Sequence, residues 1–159
     1  MKLLVLSDSH RNMDRMRIAV EETNPDAILH LGDHIDDAQK LNQEYPDAVF
    51  YMLRGNCDYS NIGKTEMFLT ISGVKVFMAH GHTYGVKASL DNFVNEARRL
   101  EADVALYGHT HSASVQREFG MWFMCPGQLE RNNRIHFASY GIVTIENAMV
   151  NCEVIRVSS

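Results

Sequence analysis

The chain is predicted to be an α/β protein on three observations. Short continuous aliphatic runs recur along it, stretches with helical spacing separate them, and polar residues able to do chemistry gather where the runs stop. Lys2 to Leu6 is the first such run, as a strand buried on both faces should be, and Asp26 to Leu31 repeats it. Between them Asn12 can cap a helix running to about Glu22, which Asn24-Pro25 ends. That strand, helix, strand unit has the length of a parallel crossover. A second helix near Asp36 to Glu44 leads past Pro46 to a third strand, Ala48 to Leu53.

From Thr65 the rhythm changes. Glu66 to Ile71 and Val74 to Ala79, joined at Ser72-Gly73, have the pattern of a hairpin. Ser89 can cap a helix in which Leu90, Phe93, Val94, Ala97 and Leu100 form one stripe, so that helix covers a sheet face. Asp103 to Tyr107 is another buried strand, and Ser139 to Ile145 with Met149 to Val157, joined at Asn147-Ala148, is a terminal hairpin. The pairing is expected to be parallel in the first half and mostly antiparallel in the second, with helices outside.

At 159 residues the chain is expected to be a single domain, residues 1–159, with one substantial core. A composition of 45% apolar and 22% charged residues is globular and excludes a disordered or fibrous chain. The net charge of -5, with no basic patch, argues against a general nucleic-acid surface or a membrane surface. Three widely spaced cysteines, Cys57, Cys125 and Cys152, suggest neither a disulfide framework nor a CxxC zinc site and fit a reducing compartment. With no apolar stretch near the ~20 residues that span a bilayer, a cytoplasmic protein is the expectation.

Five short pieces follow five apolar runs: Asp8-Ser9-His10, Gly32-Asp33, Gly55-Asn56, His80-Gly81-His82 and Gly108-His109-Thr110-His111. The crevice outside the carboxyl ends of the strands is where open α/β folds place their chemistry. Asp8 and His10, like His109 and His111, are two apart, so each pair can reach one ion, and Asp33 offers a carboxylate able to bridge two. Oxygen and imidazole donors without thiolate suit manganese, iron, zinc, cobalt or nickel and argue against a structural zinc site.

In that order these five pieces resemble the motifs of the calcineurin-like metallophosphoesterase superfamily. The resemblance runs from residue 3 to about 130. Chain length, Leu-Arg-Gly-Asn-Cys-Asp at 53–58 and Pro126-Gly127 make it most similar to the small YfcE-like phosphodiesterases. It implies a four-layer αββα sandwich of two mixed β-sheets flanked by helices. It also implies two divalent cations, manganese first and nickel, iron, cobalt or zinc as alternatives. Asp8, His10, Asp33 and His111 would hold one ion and Asp33, Asn56, His80 and His109 the other, with Asp33 bridging. The nucleophile would be a hydroxide shared by the two ions, the substrate a small phosphoester, and the assembly a homo-oligomer, dimer or tetramer.

Where many members of the superfamily have a general-acid His after the Asn of the third motif, this chain has Cys57. A thiol is a poor substitute for an imidazolium, so activated diesters should be favoured and poor leaving groups turned over slowly. His82 is the candidate proton donor or substrate orienter. His34 and the neighbouring Asp36 and Asp58 are candidates for supporting contacts, while Arg11 and Gln128 depart from the family pattern. His30, inside a strand, is expected to be a hydrogen-bonded core residue. Two readings compete with hydrolysis: a protein-interaction scaffold, as in the retromer subunit that resembles this fold, and a nucleotide or metal sensor without turnover.

Overall fold

The computed structural model describes residues 1–59, 61–130 and 137–157. The first aliphatic run forms β1 (Lys2–Leu6), followed by α1 (Met13–Thr23), β2 (Ala27–His30), α2 (Ile35–Glu44) and β3 (Val49–Met52). Asn12 caps α1 as predicted, its side-chain oxygen accepting the Arg15 N–H at 3.1 Å, and Asn24 ends it in the left-handed region. β1 pairs in parallel with β2, and β2 with β3.

The expected hairpin is β4 (Glu66–Ile71) and β5 (Val74–Ala79), and a single 3₁₀ turn, His82–Tyr84, follows. Then come α3 (Asp91–Arg99) and β6 (Val104–Tyr107). The Ser89 hydroxyl accepts the Asp91 N–H at 3.1 Å, but the capping position is Leu90, one residue later than predicted. A hairpin absent from the sequence reading follows, β7 (Ser114–Glu118) and β8 (Met121–Cys125), and β9 (Ser139–Glu146) with β10 (Met149–Arg156) closes the chain. β7 is an exposed edge strand without alternation, so its sequence gives no period-2 signal.

Two five-stranded sheets result, β10-β9-β1-β2-β3 and β4-β5-β6-β8-β7. The second is less antiparallel than expected, because β6 pairs in parallel with both β5 and β8. Alternation along the strands builds three apolar layers. Leu3, Val5, Leu29, Val76, Met78, Leu106 and Met124 meet between the sheets. Leu4, Leu6 and Ile28 pack outward against Met16, Ala19 and Leu41 of α1 and α2. Phe77, Ala105 and Phe123 pack against Phe93 and Ala97 of α3 on the opposite side. The order is therefore helix, sheet, sheet, helix, the four-layer sandwich.

Candidate metal centre

Strands β1, β2 and β3 run parallel in one sheet and β5 and β6 in the other, and each delivers one polar piece at its carboxyl end. Main-chain bonds fix these ends to one another: Asp8 N–H to Gly32 O at 3.1 Å, Leu53 N–H to His30 O at 2.8 Å and Gly108 N–H to His80 O at 3.0 Å. Two clusters form there. The ligating atoms of Asp8, His10 and His111 all lie within 4.8 Å of one another, and so do those of Asp33, His80 and His109. Asn56 joins the second, its Oδ1 2.9 Å from His80 Nε2.

The donor set fits cations. Leu31 O can only accept, so His80 Nδ1 donates to it at 2.8 Å and leaves an Nε2 lone pair facing outward. That lone pair meets Asn56 Oδ1 at 2.9 Å and Asp33 Oδ1 at 3.4 Å, so three acceptor atoms face one another, with His80 and Asp33 buried and Asn56 exposed. In the first cluster His10 Nε2 is buried and has no hydrogen-bond partner among the described residues. A buried polar atom left unpaired costs about 1–3 kcal/mol, which a bound cation would remove.

The backbone is bent to aim these groups. Asp8, His10, Arg11, Asp33, His34, His109 and His111 all have φ between 46° and 69°. Non-glycine residues rarely take this left-handed conformation, and here it gathers on the loops that carry the clusters. Close approach matters as well: a Cβ on Gly55 would sit 2.5 Å from Asp33 N, and one on Gly108 3.1 Å from Asp8 Oδ2.

Electrostatics follow the packing. Burial would raise the Asp8 carboxyl, but hydrogen bonds from His111 Nε2 at 3.1 Å and Ser7 Oγ at 2.5 Å outweigh it and hold Asp8 well below the usual carboxylate range. The bond to Asp8 raises His111 in return, against its burial. His109 is pushed down to about 4 by burial and by the Lys87 ammonium. Burial, then His80, lowers His82, whose ring centroid is 5.3 Å from that of His80 and 6.2 Å from that of His109.

Ser7 and Asp37, supporting residues missed in the sequence, are now visible, and the expected Asp58 and His30 stand beside them. Ser9 Oγ donates to Asp37 Oδ2 at 2.7 Å and lies 3.0 Å from His30 Nε2, while His30 Nδ1 accepts the Gly32 N–H at 3.3 Å. Asp37 also accepts the Arg11 N–H at 2.7 Å, so one buried chain ties the first two loops together. Ser7 and Asp37, a serine and an aspartate beside motif residues, carry no spacing signal of their own. Asp58 accepts N–H groups from Gly55 at 2.8 Å, Ile35 at 2.9 Å and Asp33 at 3.1 Å, capping α2 from another loop where His34 offers no side-chain cap. His34 instead packs its ring 5.1 Å from His10. Asp36 and the Arg11 side chain are exposed, and Gln128 is buried with an Nε2 that has no partner among the described residues. His30 is the core residue expected, fully buried, with burial pushing it down to about 4.

A stability prediction arises from His30. Unfolded His30 takes a proton near pH 6.5, whereas the folded residue resists it until about 4. The unfolded state therefore binds more protons between those values, and folding free energy falls as pH drops through that window, by about 3 kcal/mol at its lower end. Urea midpoints of metal-free protein from pH 7 to 4 should show the decline, and His30→Gln should flatten its His30-dependent part. An unchanged pH slope in the variant would remove His30 as the cause.

Residues 1–148 match the family model of the calcineurin-like phosphoesterase superfamily domain. The chain belongs to the calcineurin-like phosphoesterase superfamily. It is 32% identical over 150 residues to the probable metallophosphoesterase YsnB of Bacillus subtilis strain 168, covering 92% of this chain and 86% of that one. The phosphodiesterase YfcE of Escherichia coli K12 is 23% identical over 170 residues, with coverage of 90% and 87%. Among solved structures, a conserved Streptococcus pneumoniae TIGR4 protein, itself a predicted phosphoesterase, superposes with a TM-score of 0.79 at 21% identity, covering 98% of this chain and 88% of that one. This last likeness supports the fold of the calcineurin-like phosphoesterase chain. Among its described residues no helix is long and apolar enough to cross a membrane.

Proposed function

We propose that this chain is a cytoplasmic phosphodiesterase that works with two divalent cations, manganese first among them. Asp8, His10 and His111 would hold one ion, Asn56, His80 and His109 the other, and Asp33 would be shared. The observation that carries this reading is the gathering of two ligand clusters, each built on a buried carboxylate, at one edge of the sandwich. When bound, such ions supply Lewis-acid charge at phosphoryl oxygens and a hydroxide at neutral pH.

The chain's own residues prepare the place. Ser7 and the His109 N–H, 3.2 Å from Asp8 Oδ2, keep Asp8 ionised and aimed. Leu31 O holds His80 in the tautomer whose Nε2 faces the cluster. His82 is the candidate for orienting the substrate or protonating the leaving oxygen. Cys57 is unsuited to that task, since burial and the nearby Asp33 carboxylate raise its thiol and make it a weaker acid. A reducing compartment agrees with three free cysteines.

Purified protein with Mn²⁺ should release nitrophenol from bis-p-nitrophenyl phosphate. Across a series of aryl diesters, kcat should fall steeply as the leaving-group pKa rises, because Cys57, a thiol, stands where a general-acid imidazole would assist departure. Inertness with Mn²⁺, Ni²⁺, Co²⁺ and Zn²⁺ alike would make the scaffold or sensor reading the better account.

A further inference from the structure

One carboxylate at this edge has no part in either cluster. Glu130 Oε2 stands 4.0 Å from His10 Nε2, the buried nitrogen without a hydrogen-bond partner among the described residues, yet the Glu130 side chain is 54% exposed. Its backbone position is anchored. Leu129 just before it is fully buried, gives its N–H to Asp8 O at 3.4 Å and accepts Arg15 Nη1 at 2.6 Å. Glu130 therefore rises from a fixed point at the rim of the first cluster, outside the Asp8, His10 and His111 set.

We infer that Glu130 is a selectivity residue, a rim carboxylate that repels dianionic phosphomonoesters more strongly than monoanionic phosphodiesters. The inference rests on the phosphoesterase reading above and names the substrate class it favours. Near neutral pH a phosphomonoester carries close to two negative charges, because its second pKa is about 6, while a diester carries one. A fixed negative charge beside the site acts on each in proportion to its charge. The monoester penalty is then the square of the diester penalty when both are written as factors. Half-exposed charges a few ångströms apart interact weakly through water, on the order of threefold per unit charge. Discrimination of this kind needs no contact between Glu130 and the ester groups, only its charge at the rim.

Glu130→Gln keeps the shape and removes the charge, and its exposure makes the substitution safe for folding. With Mn²⁺ at pH 8, kcat/KM should rise about threefold for bis-p-nitrophenyl phosphate and about tenfold for p-nitrophenyl phosphate. Calorimetry on the Mn²⁺-loaded protein should show inorganic phosphate tightening about tenfold and dimethyl phosphate about threefold. Metal-free protein titrated with Mn²⁺ should bind the same number of ions as the unsubstituted chain. Equal changes for both esters and both anions would overturn the inference. Loss of one equivalent of Mn²⁺ in the variant would also overturn it, making Glu130 a ligand instead. If neither ester is hydrolysed by the unsubstituted protein while the two anions still respond unequally, the hydrolase reading fails and the charge discrimination stands.

Discussion

Replacing Asp33 by Asn is expected to lower kcat/KM toward aryl phosphodiesters by on the order of 10³-fold or more, equivalent to about 4 kcal/mol of transition-state stabilisation. Asp33 is 2% exposed and stands in the second cluster with His80 and His109. In the proposed arrangement it is the carboxylate that both ions share. Asn preserves the acceptor that takes the Cys57 N–H at 2.9 Å, so the loop keeps its shape while the charge is lost. Partners that only orient metal ligands cost about 10–100-fold when removed, and a shared ligand should exceed that. The measurements are steady-state rates with saturating Mn²⁺ and the count of bound Mn²⁺ by metal analysis. His109→Ala should show a loss of similar size. Should Asp33→Asn retain its rate and bind the usual number of ions, Asp33 does not bridge and the dinuclear reading fails.

Much of this arrangement was legible because ligand residues sit at strand ends, and strand ends are easy to find. The runs Lys2–Leu6 and Ala27–His30 are buried on both faces and so appear as unbroken aliphatic segments. Asp8 and Asp33 follow each within three residues. The hairpin β7–β8 was not legible, because Ser114–Glu118 faces solvent along an edge and its polar residues follow no period. Of the supporting residues, Asp58 was expected as a supporting contact and takes the N–H groups of Asp33 and Ile35, whereas Asp37, which reaches back to Ser9 and Arg11, was hidden. Such contacts depend on how loops from different strands lie against one another, which local periodicity does not record. Glu130 is the clearest case, since 120 positions separate it from His10 and only the fold brings them to 4.0 Å.

Adding one methyl group at Gly108 should be nearly as damaging to the site as removing a ligand. A Cβ there would collide with Ser7 Oγ and stand 3.1 Å from Asp8 Oδ2 and 3.2 Å from Ser7 Cβ. The chain cannot easily retreat, because the Gly108 N–H is held by His80 O and the His109 N–H by Asp8 Oδ2. The hydroxyl that gives way is, with His111, one of the groups that hold Asp8 ionised, so the substitution adds overpacking of about 1–3 kcal/mol to the loss of a charge-assisted bond worth about 1.5–3 kcal/mol. Gly108→Ala is expected to lower folding stability by about 2.5–6 kcal/mol and Tm by roughly 5–24 °C, with weakened Mn²⁺ binding. Ser7→Ala tests the cause. Alone it should cost about 1.5–3 kcal/mol through loss of one charge-assisted bond to Asp8 Oδ2, which keeps the His109 N–H. Combined with Gly108→Ala it removes the colliding atom, so the double variant should be more stable than the sum of the two losses predicts, by about 1–2 kcal/mol. Strict additivity in that cycle, read by urea unfolding, would mean that the methyl group harms the protein through some contact other than Ser7.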